Sequence, residues 1–354
     1  MKKIMFLESI RGISALVVLL FHLKETSNSL IIQNFIVLNG EIFVDFFFVI
    51  SGFVITYSYS SRIYTFMDLL KFKYKRILRL YPLHVLTLLI FVMVEIAKYF
   101  LSTEFSIFSN TEPFTINNTR SFIHNLFLTH AFLPLNSFNI PSWSISVEFY
   151  AYLLFSLIVL LIKNEKICFL IFMTISFFSF LYIINGGGSL RSMENEDGFI
   201  RCCFSFFLGA TIFSLKDFIK IKPKLTNFLI LSFLILLIIT FFLNNNFLSI
   251  LLFSVIILIS VNEENHHLIK ILSFKPLLYL GSISYGIYMF HFFVIWAERQ
   301  ISEFILKTNP DGVIIIVSTI FFTVLLAHIS KNYFEYKFIN FGKKIKFSKH
   351  WRNN

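Results

Sequence analysis

The first apolar run, LESIRGISALVVLLFHL at residues 7–23, holds two side chains that could do chemistry, Arg11 and His22. On an α-helix their spacing covers about three full turns, so both lie on one face, roughly 16 Å apart along the axis. A charge at mid-membrane costs roughly 2.5–3.5 kcal/mol, so Arg11 is expected to face a partner or a wet cavity. A neutral imidazole near a carboxylate can take a proton at neutral pH, which suits His22 to general-base work. The plainer alternative is an interfacial histidine satisfied by water or a headgroup. Two carboxylates are placed to matter. Asp45, in NGEIFVDFFFVISGFVIT, either joins the chemistry or forms a structural ion pair with Arg11 or Lys24. Glu148, in WSISVEFY, either orients and charge-stabilises His22, acts as the base itself, or is a buried structural carboxylate.

A second group is cationic. KFKYKRILRLYP, residues 71–82, puts Arg76 and Arg79 on one helical face, with Lys71, Lys73 and Lys75 just before and Pro82 suited to a first helical turn. Planar guanidinium groups there bind phosphates or simply signal topology. A third group is aromatic. Trp143 is read as an interfacial anchor and as a wall of an acceptor site. Tyr285, Tyr288 and His291, in SISYGIYMFH, fall along one side of a helix and line either a cavity or an aromatic belt. The other histidines lack ligand spacing with any cysteine or carboxylate, so no metal is assigned. Cys168, Cys202 and Cys203 read as packing residues.

The elements that must position these residues are membrane helices. The chain has 354 residues, 56% hydrophobic and only 14% charged, with a mean hydropathy of +0.76. Apolar runs recur throughout, and they are continuous rather than alternating, which excludes a soluble core and a β-barrel. The expected fold is all-α, a polytopic transmembrane helical bundle. Ten spans are expected, at roughly 6–23, 42–58, 80–100, 144–162, 167–184, 199–215, 226–243, 247–262, 279–298 and 313–332. The first span has no small-residue cleavage site after it and is expected to stay. With the N-terminus inside, inner Lys and Arg outnumber outer ones by roughly three to one, which puts both termini in the cytoplasm. The same distribution explains the net charge of +11 without nucleic acid. In this orientation His22, Asp45 and Glu148 all reach the outer level. The long outer loop 101–143 reads as a lid or a binding surface and ends at Pro141 and Ser142, a helix start. Two units are drawn, a transmembrane domain at 1–340 and a basic cytoplasmic tail at 341–354. No internal repeat supports an inverted-repeat transporter.

At this point the motifs resemble a known family. LESIRGISALVVLLFH, FVDFFFVISGFVI, RILRLYP, WSISVEFY and GSISYGIYMFH occur in the order found in the membrane-bound acyltransferase-3 family of bacterial O-acetyltransferases. The resemblance runs over roughly residues 6–295 and rests on five motifs in register. It implies ten core spans, cytoplasmic termini and residence in the bacterial plasma (inner) membrane among its lipids. It also implies transfer of an acyl group, usually acetyl from acetyl-CoA, to hydroxyls of lipopolysaccharide, exopolysaccharide, peptidoglycan or similar lipid-linked or exported glycans. By resemblance Arg11 and His22 match the essential pair, with His22 the base. Arg76 and Arg79, with Lys75 nearby, match the pair that holds the nucleotide end of CoA, and Glu148 and Asp45 match acidic motif positions. Trp143, Tyr285 and His291 are assigned to the acceptor side. Glu8 stands where aspartate is usual and His84 where an aromatic is. No fused esterase-like domain is expected after span 10, so one polypeptide does the transfer or hands off to a partner. The competing class is a polysaccharide or small-molecule exporter or flippase, and a third is a scaffold for a polysaccharide synthase.

Overall fold

A computed structural model describes residues 4–24, 29–109, 111–133, 135–186, 190, 197–218, 223–261, 267–302 and 312–344. Within them the chain is helical: α1 (Met5–Leu23), α2 (Phe35–Leu38), α3 (Ile42–Tyr59), α4 (Phe66–Phe105), α5 (Thr119–Leu126), α6 (Ser142–Ile162), α7 (Glu165–Asn185), α8 (Gly198–Leu215), α9 (Pro223–Phe242), α10 (Asn246–Val261), α11 (His267–Leu272), α12 (Lys275–Ser282), α13 (Ser284–Gln300), α14 (Gly312–Ile329) and α15 (Tyr336–Lys344). Eight of these helices are long and apolar enough to cross a membrane; α12 with α13 makes a ninth span bent by 66°, and α10 is a shorter apolar helix. Each of the ten expected spans therefore has its helix. Most of the segment drawn as a basic tail, from residue 345 on, lies outside the described residues.

Two elements differ from the sequence reading. Pro82 is not in a first turn but inside α4. That helix starts at Phe66 because Thr65 and Asp68 form a capping box: Asp68 N donates to Thr65 Oγ1 at 3.2 Å, and Thr65 N donates to Asp68 Oδ2 at 3.1 Å. At about 1.5 Å per residue α4 is near 60 Å long, twice a hydrocarbon core of about 30 Å, so it is longer than a single span requires. Pro82 frees only one carbonyl, which a membrane helix tolerates. The second difference is the break at Ile283, where the expected ninth span turns.

Backbone contact between helices sets the frame. A Cβ on Gly281 of α12 would lie 1.9 Å from the Glu8 carbonyl oxygen of α1, and one on Gly12 would lie 2.6 Å from Gly281 N. On the other side of the bundle, a Cβ on Gly52 would meet Phe206 O at 1.8 Å, and one on Gly209 would meet Val49 O at 2.0 Å, so α3 and α8 touch through their backbones. Small residues allow such approach, and only they do. The loop before α6 is folded onto the bundle. Glu95 of α4 accepts from Lys98 Nζ at 2.8 Å, Phe114 N at 2.9 Å and Asn117 Nδ2 at 2.9 Å. Asn139 Nδ2 donates to Met289 O of α13 at 2.9 Å.

Candidate active site

α1 enters the bundle with Arg11 midway and His22 in its last turn, and each faces a different cavity. Arg11 lines a central cavity of about 70 Å³ together with Arg76 and Arg79 of α4, Glu148 and Tyr152 of α6, Tyr285 and Tyr288 of α13, and Ser51 of α3. Three arginines and a single carboxylate line it, so the cavity is strongly cationic. The Arg76 guanidinium sits among three aromatic faces, with ring centroids of Tyr59, Phe72 and Tyr152 at 5.6, 5.8 and 5.9 Å. The carboxylate is held by a relay: Ser51 Oγ donates to the Tyr152 hydroxyl at 2.7 Å, which donates to Glu148 Oε1 at 2.6 Å. Tyr285 donates to Leu80 O at 2.6 Å and ties α13 to α4 beside Arg79.

His22 lines a chamber of about 20 Å³ with Glu41, Trp143, Arg201 and Tyr288, room for about one water. Val44 and Tyr288 belong to the walls of both this chamber and the central cavity. On its other side Ile140 and Trp143 are shared with a vestibule of about 530 Å³. The vestibule is lined by amides, hydroxyls, charges and a further indole: Asn117, Asn136, Gln300, Ser109, Thr111, Glu95, Lys98, Arg299 and Trp296. Three cavities thus stand in series, with the imidazole in the middle one. The His22 ring lies 5.2 Å from that of His291, centroid to centroid, and 6.0 Å from that of Phe292.

The two acids do not converge on His22 as their positions in the sequence led us to expect. Asp45 is fully buried and bound by Arg201 of α8, with Nη2–Oδ2 at 2.7 Å and Nε–Oδ2 at 3.1 Å, while Ser205 Oγ donates to Oδ1 at 2.8 Å. Neither Arg11 nor Lys24 is its partner in that pair. Glu148 stands about 7.5 Å further along α6 than Trp143, at roughly 1.5 Å per residue, and therefore faces the central cavity. Lys75 is exposed on α4 and lines none of the three cavities, whereas Arg76 and Arg79 both line the central one. Trp143 lines the chamber and the vestibule and is buried rather than set at an interface: it is 6% exposed, its ring lies 5.4 Å from the Arg201 guanidinium, and Phe48 meets it edge-on.

Arg201 is the residue that the sequence reading missed. It also donates to Leu190 O at 2.8 Å and Glu41 O at 3.2 Å, so it fastens the starts of α3 and α8 and covers Trp143. The available signal was its place in GFIRCCFSFFLG, an arginine inside an apolar run, which demands a buried partner. Among the described residues no group of three or more His, Cys, Asp or Glu forms a metal site.

A family model described as an acyltransferase domain, of the acyltransferase-3 type, matches residues 4–328. The chain is similar to the peptidoglycan O-acetyltransferase OatA of Listeria monocytogenes, 25% identical over 98% of this chain and 58% of that protein. It is also similar to the acyltransferase MdmB of Streptomyces mycarofaciens, 33% identical over 33% of this chain and 28% of that protein. It therefore spans less than two thirds of either relative. No solved structure matches the chain. The match over nearly all of its membrane helices leaves no doubt where it belongs: the chain is a member of the acyltransferase-3 family.

Proposed function

We propose that this protein is an O-acyltransferase of the bacterial plasma membrane that moves an acetyl group from cytoplasmic acetyl-CoA to a hydroxyl of an exported or lipid-linked carbohydrate. The observation that carries this reading is the series of cavities: a cationic one at the basic end, a small one holding His22, and a polar, indole-walled one at the opposite end. Three arginines suit the phosphates of a CoA donor. An indole beside amides and hydroxyls suits a sugar, whose ring has an apolar face and a hydroxyl rim.

The chemistry follows from the order of the cavities. The donor phosphates bind Arg76 and Arg79 while the thioester reaches past Arg11 toward Tyr288. His22 takes the proton of an acceptor hydroxyl that arrives past Trp143. The oxygen forms a bond to the thioester carbonyl carbon, the carbon–sulfur bond breaks, and the leaving thiolate takes the proton back from His22. Arg11 stabilises charge on the carbonyl oxygen. The chamber around His22 has room for only about one water, so Tyr288 and Trp143 must shift for acetyl to pass. The test is transfer of label from radioactive acetyl-CoA to the host's surface glycans. It should occur with the intact protein and be lost with His22→Ala. A near-normal rate in that variant removes His22 as base. No labelled glycan with the intact protein leaves the exporter reading.

A further inference from the structure

His291 of α13 has no place in the chemistry just described, yet it is fully buried and its ring adjoins that of His22 at 5.2 Å between centroids, tilted by 33°. Its Nδ1 lies 2.7 Å from the Tyr288 carbonyl oxygen, three residues earlier on the same helix. A carbonyl only accepts, so Nδ1 carries the ring's proton and Nε2 presents a lone pair. That Nε2 is buried and has no hydrogen-bond partner among the described residues. A buried acceptor left unmatched gives up its hydration for nothing in return, so the position calls for a donor. The adjacent group able to donate from a ring edge is His22.

We propose that His291 is the positioning residue for the base: a small turn of the His22 ring out of its 33° tilt brings an N–H onto the waiting Nε2 of His291, which fixes the tautomer of His22 and leaves the other nitrogen free for the acceptor hydroxyl. This rests on the reading of His22 as base. It supplies what Asp45 and Glu148 do not, because Asp45 is consumed by Arg201 and Glu148 faces the central cavity. When His22 takes up the hydroxyl proton, the same bond becomes charge-assisted and steadies the imidazolium. His291 holds its own Nδ1 proton on Tyr288 O throughout, so one proton moves, from the hydroxyl to His22 and on to the thiolate. A neutral partner suits an imidazole that must not be charged before the acceptor arrives.

Two substitutions separate the reaching atom from the anchor. In His291→Asn the side-chain amide can still donate to Tyr288 O, but nothing extends to where Nε2 was. In His291→Gln a carbonyl oxygen reaches near the Nε2 position. We expect kcat for acetyl transfer to fall roughly ten- to hundred-fold in His291→Asn at an unchanged KM for acetyl-CoA, and His291→Gln to recover most of that loss. Equal rates in both variants, whether normal or equally low, overturn the proposal. Should His291→Asn fail to fold, His291→Gln alone decides: a loss beyond about a hundred-fold at unchanged KM counts against it. His22→Ala runs alongside. If that variant stays active, the reading of His22 fails; if it is dead while the two position-291 variants match, only the role of His291 fails.

Discussion

Replacing Asp45 by asparagine keeps the shape of the side chain and removes its charge. Arg201 is then left 1% exposed, with its guanidinium still aimed at an amide that returns no negative charge. Two of its nitrogens bond Asp45, and Ser205 loses a charged acceptor as well. Breaking a buried pair by removing one partner costs roughly 3–5 kcal/mol, because the surviving charge stays desolvated. At roughly 2–4 °C per kcal/mol the detergent-solubilised variant should melt on the order of 10 °C lower than the parent. Thermal unfolding followed by tryptophan fluorescence is the direct assay, since Trp143 lies against Arg201. Material that survives at low temperature should retain its KM for acetyl-CoA and much of its kcat. The double variant Asp45→Leu with Arg201→Met, which removes both charges, should recover a large part of the stability. The reasoning fails if Asp45→Asn melts within a degree of the parent while kcat collapses, for then Asp45 serves the reaction.

Three further outcomes follow from other parts of the molecule. Arg76→Ala with Arg79→Ala removes two of the three cavity arginines and should raise the KM for acetyl-CoA at least tenfold, at about 1.5–3 kcal/mol per charged hydrogen bond; an unchanged KM excludes them from the donor site. Gly281→Ala would drive a Cβ to 1.9 Å from the Glu8 carbonyl oxygen, so α1 and α12 must separate; lower melting together with weaker transfer is expected, and wild-type behaviour refutes that packing. In the loop outside the spans, burial and the neighbouring His84 push the His130 imidazole down to about 3. The unfolded chain titrates near 6.5, so this contribution is complete above that pH and drains away as pH falls toward about 3, amounting to about 2 kcal/mol lost by pH 5. His130→Gln should flatten the fall in melting temperature between pH 7 and pH 5, and an equally steep fall assigns the acid sensitivity elsewhere.

The helices were legible because a membrane span is a local property. Length and apolarity decide it, and α1, α3 and α6 begin within a residue or two of the expected positions. The shared face of Arg76 and Arg79 was equally local, and both do line one cavity. What sequence periodicity does not encode is how each helix is rotated against the others. Asp45 and Arg201 lie 156 residues apart, and nothing within either span says that they meet. An arginine at a span end ordinarily reaches for headgroups, and this one turns inward to a buried carboxylate on a helix that packs backbone to backbone against its own. That contact accounts for the misplaced acid. With Asp45 held by Arg201, its charge serves the packing in which the Arg201 guanidinium lies over Trp143. The imidazole is left with a second imidazole against its ring, and a neutral partner of that kind can hold the ring without pre-charging it.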